Sequence, residues 1–146
     1  MRRARMIIAC LALVVGLAAP AYAGLDGFLA GLNAQAKADP RGFSLKLIAQ
    51  FGVGPVEVQA VLRSVAAPAD AFMCFQLGEF AHQPPDVVLA AMKTERGKGW
   101  GVVAQRLGIA PGSPEFKALK RGDFALTGKP KAKPAGGKAK GKGHKK

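Results

Sequence analysis

Apolar residues recur along this chain at the spacing of one helix face. Trp100, Val103, Ala104 and Leu107 fall at i, i+3, i+4 and i+7, and so do Val58, Val61, Leu62 and Val65. Side chains at that spacing share one side of an α-helix. Proline and glycine punctuate the stripes. Asp39-Pro40, Gly54-Pro55, Pro68-Ala69-Asp70, Pro84-Pro85-Asp86 and Ser113-Pro114-Glu115 all read as helix starts, since proline at the first helical position removes only an N–H that has no partner there. Asp39 and Ser113 add a capping oxygen. Gly52 and Gly108 read as stops, where a left-handed residue is easiest for glycine. The pattern predicts helices over 25–38, about 40–51 and about 68–82, a third that starts at Gly54-Pro55 and carries Val58 to Val65, a fifth that starts at Pro84-Pro85-Asp86 and holds Val88, Leu89 and Met92, one through Trp100 that ends at Gly108, and one opened by Ser113-Pro114-Glu115. No segment sustains period-two alternation or carries an Asn-Gly hairpin signal, and a strand at Phe124-Ala125-Leu126 lacks partners. The expectation is an all-α domain of about six or seven short helices over 24–126.

The stretch 97–122, GKGWGVVAQRLGIAPGSPEFKALKRG, holds the chain's one tryptophan and its best capping signal. It reads as a helix–turn–helix corner stapled by Trp100, Leu107, Ile109, Phe116 and Leu119, around which the chain is expected to organise. A similar corner lies upstream: Ala49-Gln50-Phe51-Gly52-Val53, a proline, then Glu57-Val58-Gln59-Ala60-Val61-Leu62. Two copies are too few for a solenoid. Both corners are expected to pack around the fourth and fifth helices.

Gly97, Gly99, Trp100, Gly101, Ala104, Leu107, Gly108, Ile109, Pro111, Gly112, Ser113, Glu115, Phe116, Leu119 and Lys120 follow the pattern GxGWGxxAxxLGIxPGSxEFxxLK. It resembles a motif of a family of short exported bacterial helical proteins of unassigned function. A looser resemblance reaches back to about Gly42 and takes in Pro68-Ala69-Asp70-Ala71. The chain departs from the pattern at Lys117, where the family often carries His. The resemblance implies a small exported helical domain and no particular chemistry.

Charge divides the 146 residues differently. The net +13 is concentrated at the ends: Arg2, Arg3 and Arg5 at one, eight lysines without an acid over 129–146 at the other. Residues 24–128 carry eleven basic and nine acidic side chains and are nearly neutral. Residues 1–23 read as a secretory signal peptide, with a basic start, an apolar run from Met6 to Ala19, Pro20, and the small-x-small site Ala21-Tyr22-Ala23. Cleavage after Ala23 and a periplasmic or secreted product are expected. The apolar run is short for a membrane span. Cys10 leaves with the leader, so Cys74 has no internal disulfide partner, and its neighbours Phe72, Met73 and Phe75 predict burial. From Thr127 the composition turns to Lys, Gly, Pro and Ala, and the segment 127–146 is expected to be disordered.

The corners look like DNA-reading units, but the helix after Gly54 offers base edges only Gln59, Arg63 and acidic Glu57, a poor set. No sequence-specific DNA binding is expected. Catalytic patterns are thin. There are three serines and no Gly-x-Ser-x-Gly elbow. One Glu79/His82 pair is half of what a di-iron bundle needs, and Cys74 and His82 lie too far apart along one helix to act together. His82 suits the helix C-terminus, where the dipole favours a cation. No enzyme activity, cofactor or metal site is expected.

Two binding readings remain. In the first, Lys129, Lys131, Lys133, Lys138, Lys140, Lys142, Lys145 and Lys146 form a flexible cation that contacts an anionic envelope surface or another polyanion through counterion release. In the second the tail is incidental, and a ligand or protein binds at Gly97, Lys98, Gly99 and Trp100 with the adjoining surface 92–96. Gly97-Lys98-Gly99 precedes a helix N-terminus but lacks the spacing and the Ser/Thr of a phosphate loop, and a hinge that lets the backbone pass close to Trp100 is the better explanation of its glycines.

Overall fold

The structure is a computed structural model that describes residues 24–130. The expected leader and seven of the eight tail lysines lie outside the described residues. Those described form seven α-helices and no strand: α1 (Gly24–Ala38), α2 (Pro40–Phe51), α3 (Pro55–Ser64), α4 (Pro68–Ala81), α5 (Pro85–Thr94), α6 (Trp100–Arg106) and α7 (Pro114–Arg121).

Local chemistry sets the boundaries. Five helices, α2, α3, α4, α5 and α7, begin with proline. The Asp39 carboxylate accepts from the Gly42 N–H at 2.8 Å, and the Ser113 hydroxyl accepts from the Phe116 N–H at 3.1 Å. Each satisfies one of the donors that a helix start leaves open. Gly52 at φ 64° and Gly122 at φ 67° close α2 and α7 in the left-handed region. Gly122 is doubly constrained, because a Cβ there would lie 2.6 Å from the Gly24 carbonyl oxygen, where the end of α7 crosses the start of α1. His82 closes α4 with φ 53°, the one positive φ outside glycine among the described residues.

Contacts between neighbouring helices close into a circuit: α1 on α2, α2 on α3, α3 on α5, α5 on α6, α6 on α7, and α7 back on α1. α4 packs on α1, α3 and α5 and occupies the centre. Residues 71–78 of α4 are buried without interruption. A helix apolar on every side needs neighbours on every side, and the circuit supplies them. Phe72, fully buried, meets the rings of Phe28, Phe51 and Phe124 at centroid distances of 5.2, 5.5 and 6.1 Å. Edge and tilted contacts of this kind add about 0.5–1.5 kcal/mol each to plain apolar burial.

The centre therefore differs from the one the sequence suggests. The corner built from α6 and α7 does bury Val103, Ala104, Ile109 and Leu119, but Trp100 and Phe116 are only partly covered. The indole sits at the rim of the core, and α4 holds its middle. A stripe on a short helix marks a helix with one covered face; it does not say which element is covered on all faces.

The last described segment is structural too. Phe124 and Leu126 pack against the core after α7 has ended. The buried amide of Gln50 holds the backbone there: its Nε2 donates to the Ala125 carbonyl at 2.9 Å, and its Oε1 accepts from the Thr127 N–H at 2.8 Å. Chain pinned to the domain thus continues past 126, to Gly128 against Lys46.

Candidate functional site

A cleft of about 550 Å³ opens where α3, α4, α5 and α6 approach one another. Ser64 and Ala66 line it from the end of α3, and Asp70 from the first turn of α4. Met92 and Lys93 come from the last turn of α5, Glu95, Arg96, Gly97 and Gly99 from its cap and the linker that follows, and Trp100 and Val103 from α6. The floor is apolar, made by Met92, Trp100 and buried Val103, while Lys93 and Arg96 are exposed at the edge.

The linker shapes one side. Gly97 at φ 82° and Gly99 at φ 89°, ψ 164° turn the chain through positive-φ conformations that cost a side-chain-bearing residue about 1–3 kcal/mol. With no Cβ at either position, backbone borders the space. Between them, Lys98 does not line the cleft but pairs with Glu95, which does. Its Nζ lies 2.9 Å from Glu95 Oε2, while Arg106 Nη1 lies 2.7 Å from Glu95 Oε1. The Glu95 side chain is only 10% exposed. It therefore ties the end of α5 to the end of α6 and holds the linker between them. The Lys98 hydrogen bond, followed by that of Arg106, keeps its carboxyl below the ordinary range despite burial.

Asp70 is the opposite case. Burial pushes its carboxyl above the ordinary range, and a hydrogen bond with the Ala67 backbone only partly offsets this. Among the described residues no ion pair reaches Asp70, Lys93 or Arg96. The cleft thus has one neutralised acid, one uncompensated acid and two cations free of carboxylates.

Cys74, one turn beyond Asp70, is fully buried, as its aromatic neighbours predict. Burial, and secondarily the Asp70 charge, push its thiol up to about 12. Almost no thiolate exists at neutral pH, so it is inert as a nucleophile. Among the described residues no group of three or more His, Cys, Asp or Glu side chains could hold a metal ion.

Of the residues proposed from sequence, Gly97, Gly99 and Trp100 line the cleft, whereas Lys98 does not line it and is engaged with the lining residue Glu95. Asp70 was missed as a site residue. Its position after Pro68-Ala69 explains it fully as a helix-start acid, and only the fold brings it opposite Trp100's helix. Of the tail lysines, Lys129 is described: it is exposed, and its N–H donates to the Thr127 hydroxyl at 3.3 Å. Lys131, Lys133, Lys138, Lys140, Lys142, Lys145 and Lys146 lie outside the described residues.

A second, shallower groove of about 430 Å³ lies along α2 and α3. Leu45, Ile48 and Leu62 line it with a single charged side chain, Arg41. Compared with protein-family models, with curated proteins and with solved structures, the chain matches none.

Proposed function

We propose that the protein is a non-enzymatic binding module, exported by its leader, whose cleft beside Trp100 takes a small ligand with an apolar body. The observation that carries this reading is the cleft itself: about 550 Å³ of space against a half-covered indole, with Met92 and Val103 beside it. Ligand pockets commonly run from about 300 to 1,000 Å³, with apolar walls and a few polar groups. The exported location rests on the sequence of residues 1–23 and on the family resemblance of the 97–120 motif.

A second reading is favoured by the composition of 129–146. Eight lysines without an acid would bind an anionic membrane surface with roughly 1 kcal/mol per residue near the surface, independently of the cleft. One experiment separates the two. Trp100 emission is titrated with N-phenyl-1-naphthylamine, a neutral apolar dye, and binding to anionic vesicles is measured beside it, with and without residues 129–146. The cleft reading expects saturable quenching that survives removal of the tail. Unchanged emission, together with salt-sensitive vesicle binding that disappears with the tail, would replace it with the tail reading.

A further inference from the structure

The walls of the cleft carry more than an apolar floor. Lys93 and Arg96 stand at one edge, both exposed and both outside every ion pair of the described residues. Lys93 lies in the last turn of α5 and Arg96 in the turn that follows it, and both line the cleft. Glu95, which also lines the cleft, is held by Lys98 and Arg106 at 2.9 and 2.7 Å. Its carboxylate is thus engaged by other cations, and Lys93 and Arg96 share the cleft lining with Met92 and Trp100. One acid remains, Asp70, at the foot of α4.

We propose that the cleft selects small organic anions: an aromatic or aliphatic body lies on Met92, Trp100 and Val103, and its carboxylate, sulfonate or phosphate meets Arg96 and Lys93. This rests on the cleft reading above and adds the charge of the ligand. Arg96 supplies a planar donor pair suited to the two oxygens of an oxyanion. Lys93 supplies a mobile point charge beside it. Asp70 is the selective element. Its carboxylate, outside every ion pair of the described residues, repels an anion placed beside it, which favours the anionic group at Arg96 and Lys93 and the apolar body on Met92, Trp100 and Val103. A cationic ligand is disfavoured by the same arrangement, because two cations outside ion pairs, Lys93 and Arg96, face one acid outside them, Asp70.

The test uses two dyes of similar body and different charge, 8-anilinonaphthalene-1-sulfonate and N-phenyl-1-naphthylamine. Each is titrated into the purified protein, with Trp100 quenching and energy transfer from the indole as readouts. The sulfonate is expected to bind at one site and about tenfold more tightly than the neutral dye, the advantage shrinking with added salt. The pair Lys93→Gln and Arg96→Gln is expected to remove that advantage, read as the ratio of the two dyes' affinities within the same variant. Both positions are exposed, and far-ultraviolet circular dichroism checks that the helices persist. Asp70→Asn is expected to tighten sulfonate binding about threefold, since the amide keeps an oxygen for the Ala67 N–H and loses the charge. Equal affinities for the two dyes, or a sulfonate affinity indifferent to the double substitution, would overturn the selection for anions while leaving the cleft reading intact. Failure of both dyes to quench Trp100 would overturn both.

Discussion

The two proline-punctuated corners, α2–α3 and α6–α7, solve one turn with the same means and put it to different uses. In each, a helix ends at or beside a glycine of positive φ, Gly52 at 64° and Gly108 at 86°, and the next begins on proline. The residues before those prolines have nearly the same backbone: Gly54 at φ −73°, ψ 152° and Ser113 at φ −63°, ψ 158°. Yet α2 turns 118° into α3 and presses Phe43, Leu47, Val58 and Val61 into the core. The α6–α7 corner is entered through a glycine linker, and α6 has seven residues. It is too short to cover its own first residue, so Trp100 stays half-open over the cleft. Resemblance between corners follows from helix-end chemistry; the difference follows from what each packs against.

That contrast predicts unequal costs for removing the large residue of each corner. Leu47→Ala, at a position with no exposure, is expected to destabilise by about 2–5 kcal/mol, because lost transfer energy and a residual cavity add. Trp100→Ala is expected to cost less, about 1–2 kcal/mol, because part of the indole already contacts water. Urea unfolding followed by far-ultraviolet circular dichroism compares them without relying on the indole. Equal losses would make Trp100 a core residue and remove its distinction from Leu47.

The corners also show where sequence reasoning succeeds. Pro40, Pro55, Pro68, Pro85 and Pro114 announce five helix starts because proline's missing N–H and fixed φ act within one residue. The central role of α4 is harder to read. Its buried run Ala-Phe-Met-Cys-Phe-Gln-Leu-Gly has no stripe, so periodicity ranks it below the α6 pattern although it is covered on every side. Phe124 and Leu126 belong to no helix, and their burial depends on the Gln50 amide, 75 residues from Ala125. The cleft was half visible. Glycines and tryptophan at 97–100 stand out in composition, but Asp70 and Ser64 reach it only through the packing of α3 and α4 on α5.

A smaller effect tests whether the corners are interchangeable at their caps. Ser113→Ala is expected to destabilise by about 1 kcal/mol, since the Phe116 N–H loses its acceptor. Gly54→Ser copies that cap into the other corner. No atom lies within 4 Å of where its Cβ would stand, and the backbone already matches. A gain of a few tenths of a kcal/mol is expected, measured as a shift in urea midpoint at constant slope. A loss at Gly54→Ser would mean that the two corners share punctuation but not geometry.

The finest distinction between the corners is electrostatic. Of the ion pairs among the described residues, none joins α2 to α3, whereas Glu95 reaches both Lys98 and Arg106 beside α6. Glu95 has its folded carboxyl below the ordinary value of 4.5. Its unfolded form therefore binds protons first, so its contribution is present above about 4.5 and is lost as pH falls through the folded value. Asp70 runs the other way. Its folded carboxyl titrates above the ordinary 3.8, so stability declines as pH rises from 3.8 through that higher value. Glu95→Gln is expected to flatten the loss on the acid side, and Asp70→Asn the loss towards neutrality, in urea midpoints measured from pH 3 to 7. Because both groups border the cleft, their slopes should vanish separately and leave the α2–α3 corner without a share in either. A slope that persists in both variants would place the titrating group elsewhere and break the assignment of charge to the Trp100 side of the molecule.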